Sequence, residues 1–272
     1  MRQAIRFTLV LGGILTLVLA VGFAWQMPWA LSLWLWPDGP LSYLFIASMQ
    51  AAIAAAMIWI GISGELGALP AGALNLVVMM SGLAIYFFQA ARYPDRGYLM
   101  EYAIGCGLFV LFNILLFFWS RSIPIRDPRP TPWPVRISFA VFIVVLVAVG
   151  TALILKTPRI FPWPLNPDSS VVFGWMFLGD AFYFLYALLN PRWQYARAQL
   201  WSFLAYDLVL IGPFIRRFST INPALNPEAD PALYQDLFNS LTVYTAVLIY
   251  SGLLAIYYLL LNAKTRAAWS ER

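Results

Sequence analysis

The chain has 272 residues, of which 62% are apolar and only 11% are charged, and its formal net charge is +5. A soluble domain has about 45–50% apolar and about 25% charged residues, so this composition excludes an ordinary soluble protein and indicates a polytopic membrane protein. There is no histidine, and Cys106 is the single cysteine. His-ligated haem, chlorophyll or zinc, Ser-His-Asp catalysis and an internal disulfide are therefore excluded.

Eight apolar stretches are long enough to cross a bilayer. A hydrocarbon core of about 30 Å needs about 20 helical residues at a rise of about 1.5 Å each. The stretches lack the alternation of strands, and backbone groups in lipid must be satisfied within each segment. The sequence therefore predicts an all-α integral membrane protein with eight transmembrane helices, the first retained rather than cleaved as a signal peptide. Their predicted ranges are roughly 7–25, 41–63, 70–91, 101–120, 136–155, 171–190, 199–217 and 237–262.

Lysine and arginine are distributed unequally between the two sides that these spans define. Eleven of them lie on the side that holds both termini, and six lie on the other side. Because cytoplasmic loops carry the excess of Lys and Arg, we predict an inner-membrane protein with both termini in the cytoplasm. Topology thus accounts for most of the net charge. Nucleic-acid binding is not expected, since no basic segment is interleaved with aromatics in a soluble domain.

Two Pro-Asp pairs, at 37–38 and 167–168, are separated by 130 residues, and the same offset aligns Arg6 with Arg136. We interpret this offset as a tandem duplication, with chance similarity between apolar segments as the competing explanation. A stretch rich in proline and arginine separates the copies and is predicted to stay extended. The predicted organisation is a first four-helix repeat at 1–121, a cytoplasmic linker at 122–135 and a second, parallel four-helix repeat at 136–272.

Tryptophans gather in the two outer loops that the duplication aligns. Tryptophan favours the headgroup level of a membrane because its ring is apolar and its N–H group is polar. In the same loops, Asp38 and Asp168 precede a predicted helix. We predict that these carboxylates cap the helix start, and an outward cation site is the alternative. The tryptophans predicted to lie at the membrane interface are Trp25, Trp29, Trp34, Trp36 and Trp163.

Asp180 and Asp207 lie near the middle of the sixth and seventh predicted helices. An aspartate at the bilayer centre costs about 2.5–3.5 kcal/mol, so it needs a proton, a partner or a water-filled cavity. If both carboxyls face one groove, they could share a proton or a cation. Alternatively, each is hydrogen-bonded inside the bundle or faces another subunit. Tyr183 and Tyr206 are candidate hydrogen-bond donors to such a site, and Gln50 aligns with Asp180 across the offset of 130.

Three functions follow from these features. The first, favoured by the lack of a catalytic constellation, is a non-catalytic accessory or scaffold subunit of a larger membrane complex, with aromatic surfaces that contact lipid or pigment. The second is a proton- or cation-coupled carrier of small solutes that uses Asp180 and Asp207. The third is a membrane-embedded enzyme acting on lipids or isoprenoids. No cofactor or metal is predicted, any bound pigment would not be His-ligated, and the expected partners are lipid, other membrane subunits or a second copy of the chain.

Overall fold

The computed structural model describes residues 2–221 and 231–267. In that part of the chain the regular structure is helical, apart from an isolated antiparallel bridge between Pro130 and Arg192. Eight helices are long and apolar enough to span a membrane, which confirms the predicted eight-span, all-α membrane fold. In chain order they are α1 (Arg2–Ala24), α2 (Pro40–Ser63), α3 (Leu69–Ala90), α4 (Leu99–Arg121), α5 (Trp133–Ile154), α6 (Pro167–Leu189), α7 (Trp193–Phe218) and α8 (Pro231–Ile256).

Proline and glycine set several of the helix ends. Pro40, Pro70 and Pro134 lie in the first turns of α2, α3 and α5. A proline is tolerated there because the first N–H groups of a helix have no intrahelical acceptor. Gly64 ends α2 in the left-handed region at φ 71° and donates its N–H to the carbonyl of Ile60 at 2.9 Å. The missing Cβ makes this conformation accessible at little cost.

The chain divides into two compact units, each of which collects helices from both predicted repeats. The duplication stays a prediction, because a division by compactness does not test common origin. The first unit comprises Met1–Gly64, Pro158–Ser169 and Arg197–Arg272, and the second unit comprises Glu65–Thr157 and Ser170–Ala196.

In the first unit, α1 and α2 approach closely beside Gly61. A Cβ on Gly61 would lie 2.6 Å from Cγ2 of Val10 and 2.9 Å from the carbonyl oxygen of Arg6. Only glycine permits this approach, because real Cβ atoms do not come so near to other atoms. Arg6 adds a polar connection, since its Nε donates to the carbonyl of Gly61 at 2.9 Å and its Nη2 to that of Ile62 at 2.6 Å. These two carbonyls belong to the last turn of α2, where no intrahelical donor is available.

In the second unit, α5 and α6 meet through glycine at one end and through aromatic rings at the other. A Cβ on Gly174 would lie 2.6 Å from the carbonyl oxygen of Gly150. Toward the beginning of α5, the ring of Phe184 lies 5.2 Å from that of Phe139 and 6.0 Å from that of Phe142. The small side chains therefore bring the backbones together at the end of the pair that is remote from the start of α5.

Candidate functional site

Asp207 lies on α7 in the first unit, and only 4% of its surface is exposed. Its Oδ1 accepts a hydrogen bond from Oγ of Ser251 on α8 at 3.0 Å. Its Oδ2 is buried and has no hydrogen-bond partner among the described residues. Gly252 leaves room on this side, since a Cβ there would lie 3.4 Å from Oδ2. A carboxyl with an unpaired, buried oxygen is a group that a proton or a small donor could satisfy.

The hydroxyl of Ser251 gives the Asp207 carboxyl two alternative hydrogen-bond patterns. Ser251 has one hydroxyl hydrogen, and its Oγ lies 3.0 Å from Oδ1 of Asp207 and 2.8 Å from the carbonyl oxygen of Val247. When Ser251 donates to the carbonyl, the bond to Asp207 requires a proton on the carboxyl. The geometry can therefore accommodate either protonation state of Asp207.

Tyr206 is not a hydrogen-bond donor to Asp207 in this structure. Its hydroxyl hydrogen-bonds to the hydroxyl of Tyr244 on α8, and its ring is edge-on to Phe45 with the centroids 6.2 Å apart. Tyr244 in turn lies 5.0 Å from the ring of Phe214. Tyr206 thus belongs to an aromatic cluster of the first unit, next in sequence to the carboxyl that it was predicted to serve.

Asp180 lies on α6 in the second unit and is paired with an amide. Its Oδ1 accepts a hydrogen bond from Nδ2 of Asn75 on α3 at 2.7 Å. Gly179 permits the close approach of α3, because a Cβ there would lie 2.9 Å from the backbone oxygen of Asn75 and 2.9 Å from Cβ of Met79. A neutral amide that donates to a carboxyl lowers the cost of burying it without adding charge.

The two aspartates thus have separate partners, each within its own compact unit. The shared proton or cation stays a prediction. Of the other residues predicted for this site, Tyr183 is buried in the second unit with its ring 5.8 Å from that of Phe184. Gln50 is half-buried on α2 in the first unit.

Asp38 is the centre of a polar cluster in the first unit. Four donors occupy the roughly four lone-pair sites of its carboxylate. The residue that caps α2 is Gly39, without a side-chain hydrogen bond, so the predicted capping role of Asp38 is wrong. Because its oxygens are occupied, Asp38 is also poorly suited to bind a cation. The donors are Nε1 of Trp34 at 3.2 Å, Oγ of Ser42 at 3.2 Å, the backbone N–H of Asn166 at 3.2 Å, and Oγ of Ser169.

The predicted interfacial tryptophans differ in exposure. Trp25 and Trp29 are 70% and 47% exposed. Trp36 and Trp163 are buried, and Nε1 of Trp163 donates to Oγ of Ser42 at 3.0 Å. The indole N–H of Trp163 is therefore satisfied inside the protein rather than by a headgroup. The depth of these residues in a membrane stays a prediction.

The proline- and arginine-rich linker is attached to the second unit by specific contacts. Oε1 of Gln194 accepts from the backbone N–H groups of Arg126 at 2.7 Å and Asp127 at 3.1 Å. Asp127 accepts two side-chain hydrogen bonds from Arg129, at 2.8 and 2.6 Å. These hydrogen bonds raise the pKa of the Arg129 guanidinium above its ordinary value. Arg129 is thereby held as the charge partner of a buried carboxylate.

Sequence reasoning missed Ser251 and Tyr244 as partners of the seventh helix. Their signal was present, because both are polar groups in the span that follows Asp207, and consecutive spans joined by a loop pack side by side. It also missed Gln194, which lies at the start of a span and gave no periodic signal. No protein-family model, no curated protein and no solved structure matches this chain.

Proposed function

We propose that this chain is a non-catalytic, helix-bundle subunit of a larger membrane complex, and that α4 carries its main contact with a partner. The protein is proposed to reside in an inner membrane with both termini in the cytoplasm. The observation that supports this function is the surface of α4. Only 17% of the apolar stretch of α4 is buried in the protein, a smaller share than in any other of the eight spans.

The exposed surface of α4 is suited to a neighbouring helix. Five of its exposed apolar residues recur at intervals of four and three, which places these five along one side of the helix. Gly105 is exposed between them, and a Cβ added to it or to Gly107 would meet no atom of this chain within 4 Å. Glycines in such a surface let another helix approach closely. The apolar side chains are Ile104, Leu108, Leu111, Leu115 and Phe118.

The two glycines of α4 contrast with glycines whose space is already filled. Gly61 and Gly174 each contact the backbone of a neighbouring helix in this chain. A glycine in a helix interior costs about 1 kcal/mol relative to alanine in water. Within the described residues, no close packing against another helix offsets this cost at Gly105 and Gly107. This is expected if a partner helix packs against the two glycines.

The internal polar groups support the same proposal. Asp38 is saturated with donors, and Asp180 is paired with Asn75. Both carboxylates therefore serve the stability of the bundle. The aromatic and aliphatic side chains on the outside remain for lipid, pigment or protein partners, and none of these requires a histidine ligand.

The proposal is tested by filling the space at Gly105. The full chain and its Gly105→Leu variant are extracted gently from the native membrane, and the native mass and the stoichiometry of co-purifying proteins are measured. We expect the variant to retain about tenfold less partner, equivalent to about 1.4 kcal/mol. Gly212→Leu is the matched control, since Gly212 is an exposed glycine of α7 with equally open surroundings. A monomeric wild-type particle without stoichiometric partners would contradict the proposal.

Cys106 provides a second readout for the same surface. It is the only cysteine and lies between Gly105 and Gly107, so a thiol cross-linker applied to native membranes reports what lies next to α4. A product of twice the chain mass identifies a second copy, and a product of another mass identifies a different subunit. Labelling by a membrane-permeant maleimide that is as fast in native membranes as in isolated protein would show that α4 faces lipid.

A proton-coupled carrier is the second candidate, and one observation favours it. The unpaired Oδ2 of Asp207 lies within a membrane span, which is expensive unless the group has a task. Proton uptake into vesicles that contain the purified chain tests this function. Loss of uptake in Asp207→Asn, with retention in the exposed-site control Asp236→Asn, would favour the carrier over the scaffold.

A further inference from the structure

A groove of about 550 Å³ runs along the exposed side of α5 in the second unit. Its walls are the aliphatic side chains of Ile137, Val141 and Val144 on α5 and Leu188 on α6. All of these belong to candidate membrane spans. The groove is therefore an apolar surface cleft, and in a membrane its open side faces the hydrocarbon.

Arg136 lies at the end of this groove near the start of α5, together with Trp133. Its guanidinium carbon is 5.4 Å from the centroid of the Trp133 ring. Its Nε is buried and has no hydrogen-bond partner among the described residues. An unpaired N–H makes this buried position costly for Arg136. The side chain is half-buried and lines the groove, where an anion is the natural acceptor for the rest of its guanidinium.

The contacts that satisfy Arg6 in the first unit have no counterpart at Arg136 among the described residues. Arg6, which aligns with Arg136 across the offset of 130, donates to residues 61 and 62 at the end of α2. Across the same offset, residues 61 and 62 align with Pro191 and Arg192 near the end of α6. The carbonyl of Pro191 accepts from the N–H of Thr131 at 2.9 Å, and that of Arg192 accepts from the N–H of Tyr195 at 3.0 Å.

The charge of Arg136 itself is also uncompensated, whereas Arg129 in the preceding linker is paired with Asp127. Within the described residues, Arg136 has no ion pair. The positive end of the groove is thus complementary to an anionic group rather than to a neutral one.

We propose that this groove binds an anionic phospholipid, with its phosphate on the guanidinium of Arg136 and one acyl chain against Ile137, Val141, Val144 and Leu188. Trp133 lies beside the headgroup, at the level that tryptophan favours. The distance from Arg136 to the far end of the groove at Val145 is about 13 Å along the helix, at about 1.5 Å per residue. This is close to the roughly 15 Å depth of one leaflet of the hydrocarbon core. The site is independent of the partner surface proposed for α4.

The full chain is reconstituted in nanodiscs of phosphatidylglycerol and phosphatidylcholine, and the lipids retained after mild detergent extraction are counted by native mass spectrometry. We expect wild type to retain one phosphatidylglycerol in preference to phosphatidylcholine. Arg136→Gln should lower that retention about tenfold, because a charge-assisted hydrogen bond is lost. Arg192→Gln is the matched control, because the substitution removes the same charge. Arg192 is exposed and does not line the groove.

A second variant tests the acyl-chain part of the site. Val141→Trp fills the groove at an exposed position, so it should remove the bound lipid without disturbing the core. Val141→Trp also tests the proposal by itself if Arg136→Gln does not fold. Equal retention of the two lipids by wild type, or unchanged retention in Val141→Trp, would overturn the proposal. Displacement of the lipid by excess inorganic phosphate would do the same, because it would indicate an anion site without an acyl-chain requirement.

Discussion

The helical hairpins α1–α2 and α5–α6 occupy equivalent places in the predicted duplication, yet they pack differently. In α1–α2, glycine brings the helices together at the arginine end, and Arg6 reaches the carbonyls of Gly61 and Ile62. In α5–α6, the glycine contact is at the opposite end, aromatic rings separate the helices near Arg136, and its Nε stays unpaired. The position of the small residues along a helix pair therefore decides whether the arginine at this aligned position bonds to the neighbouring helix, as Arg6 does, or stays available for a ligand, as Arg136 does.

The largest effect is expected from removing the aromatic spacer. Phe184→Ala deletes a ring that is 4% exposed and contacts Phe139 and Phe142. We expect a loss of about 3–5 kcal/mol in unfolding free energy, because a large cavity is left in the second unit. Unfolding in detergent, followed by circular dichroism against denaturant, measures it. Phe182→Ala is the control, since Phe182 is 38% exposed on the same helix. Equal effects of the two changes would show that aromatic packing does not hold α5 and α6 apart.

The glycine contact of the first hairpin is tested by Gly61→Leu. The new side chain would clash with Val10 and with the backbone of Arg6, so we expect a destabilisation of about 1–3 kcal/mol from overpacking. Gly72→Leu on α3 is the matched control, because no atom lies within 4 Å of a Cβ there. The midpoints of thermal unfolding in detergent compare the variants. A destabilisation that is no greater than that of the control would contradict the close approach of α1 and α2.

The smallest effect is expected for the arginines themselves. Arg6→Gln loses two charge-assisted hydrogen bonds to the end of α2 and should destabilise the protein by about 1.5 kcal/mol. Arg136→Gln should change stability by only about 0.5 kcal/mol, because among the described contacts it loses just the cation–π contact with the exposed Trp133. Denaturant midpoints of the two variants in lipid-free detergent give the comparison directly. Similar losses would mean that Arg136 has a structural partner and that the two hairpins use their arginines alike.

Sequence reasoning located the spans well and the polar contacts poorly. All eight helices were predicted with ends within six residues of those observed, because the width of the hydrocarbon core sets their length. Asp180 and Asp207 were identified as the costly groups, but their partners Asn75 and Ser251 were not predicted. Asp38 was assigned to a cap, although its carboxylate accepts from Ser42, Asn166 and Ser169. Three of these contacts, Asp180 with Asn75 and Asp38 with Asn166 and Ser169, join residues more than 100 positions apart, and no local pattern encodes them.

The sequence by itself determined that this chain is a bundle of eight membrane helices without histidine chemistry, since hydrophobic length and residue identity suffice for both conclusions. Only the tertiary structure decided which arginine is satisfied, which glycines are open and which carboxylate keeps an unpaired oxygen. These properties depend on differences of a few tenths of an ångström in the distance between neighbouring helices. Such distances are set by which side chains meet across a helix pair, and the composition of either helix alone does not contain that information.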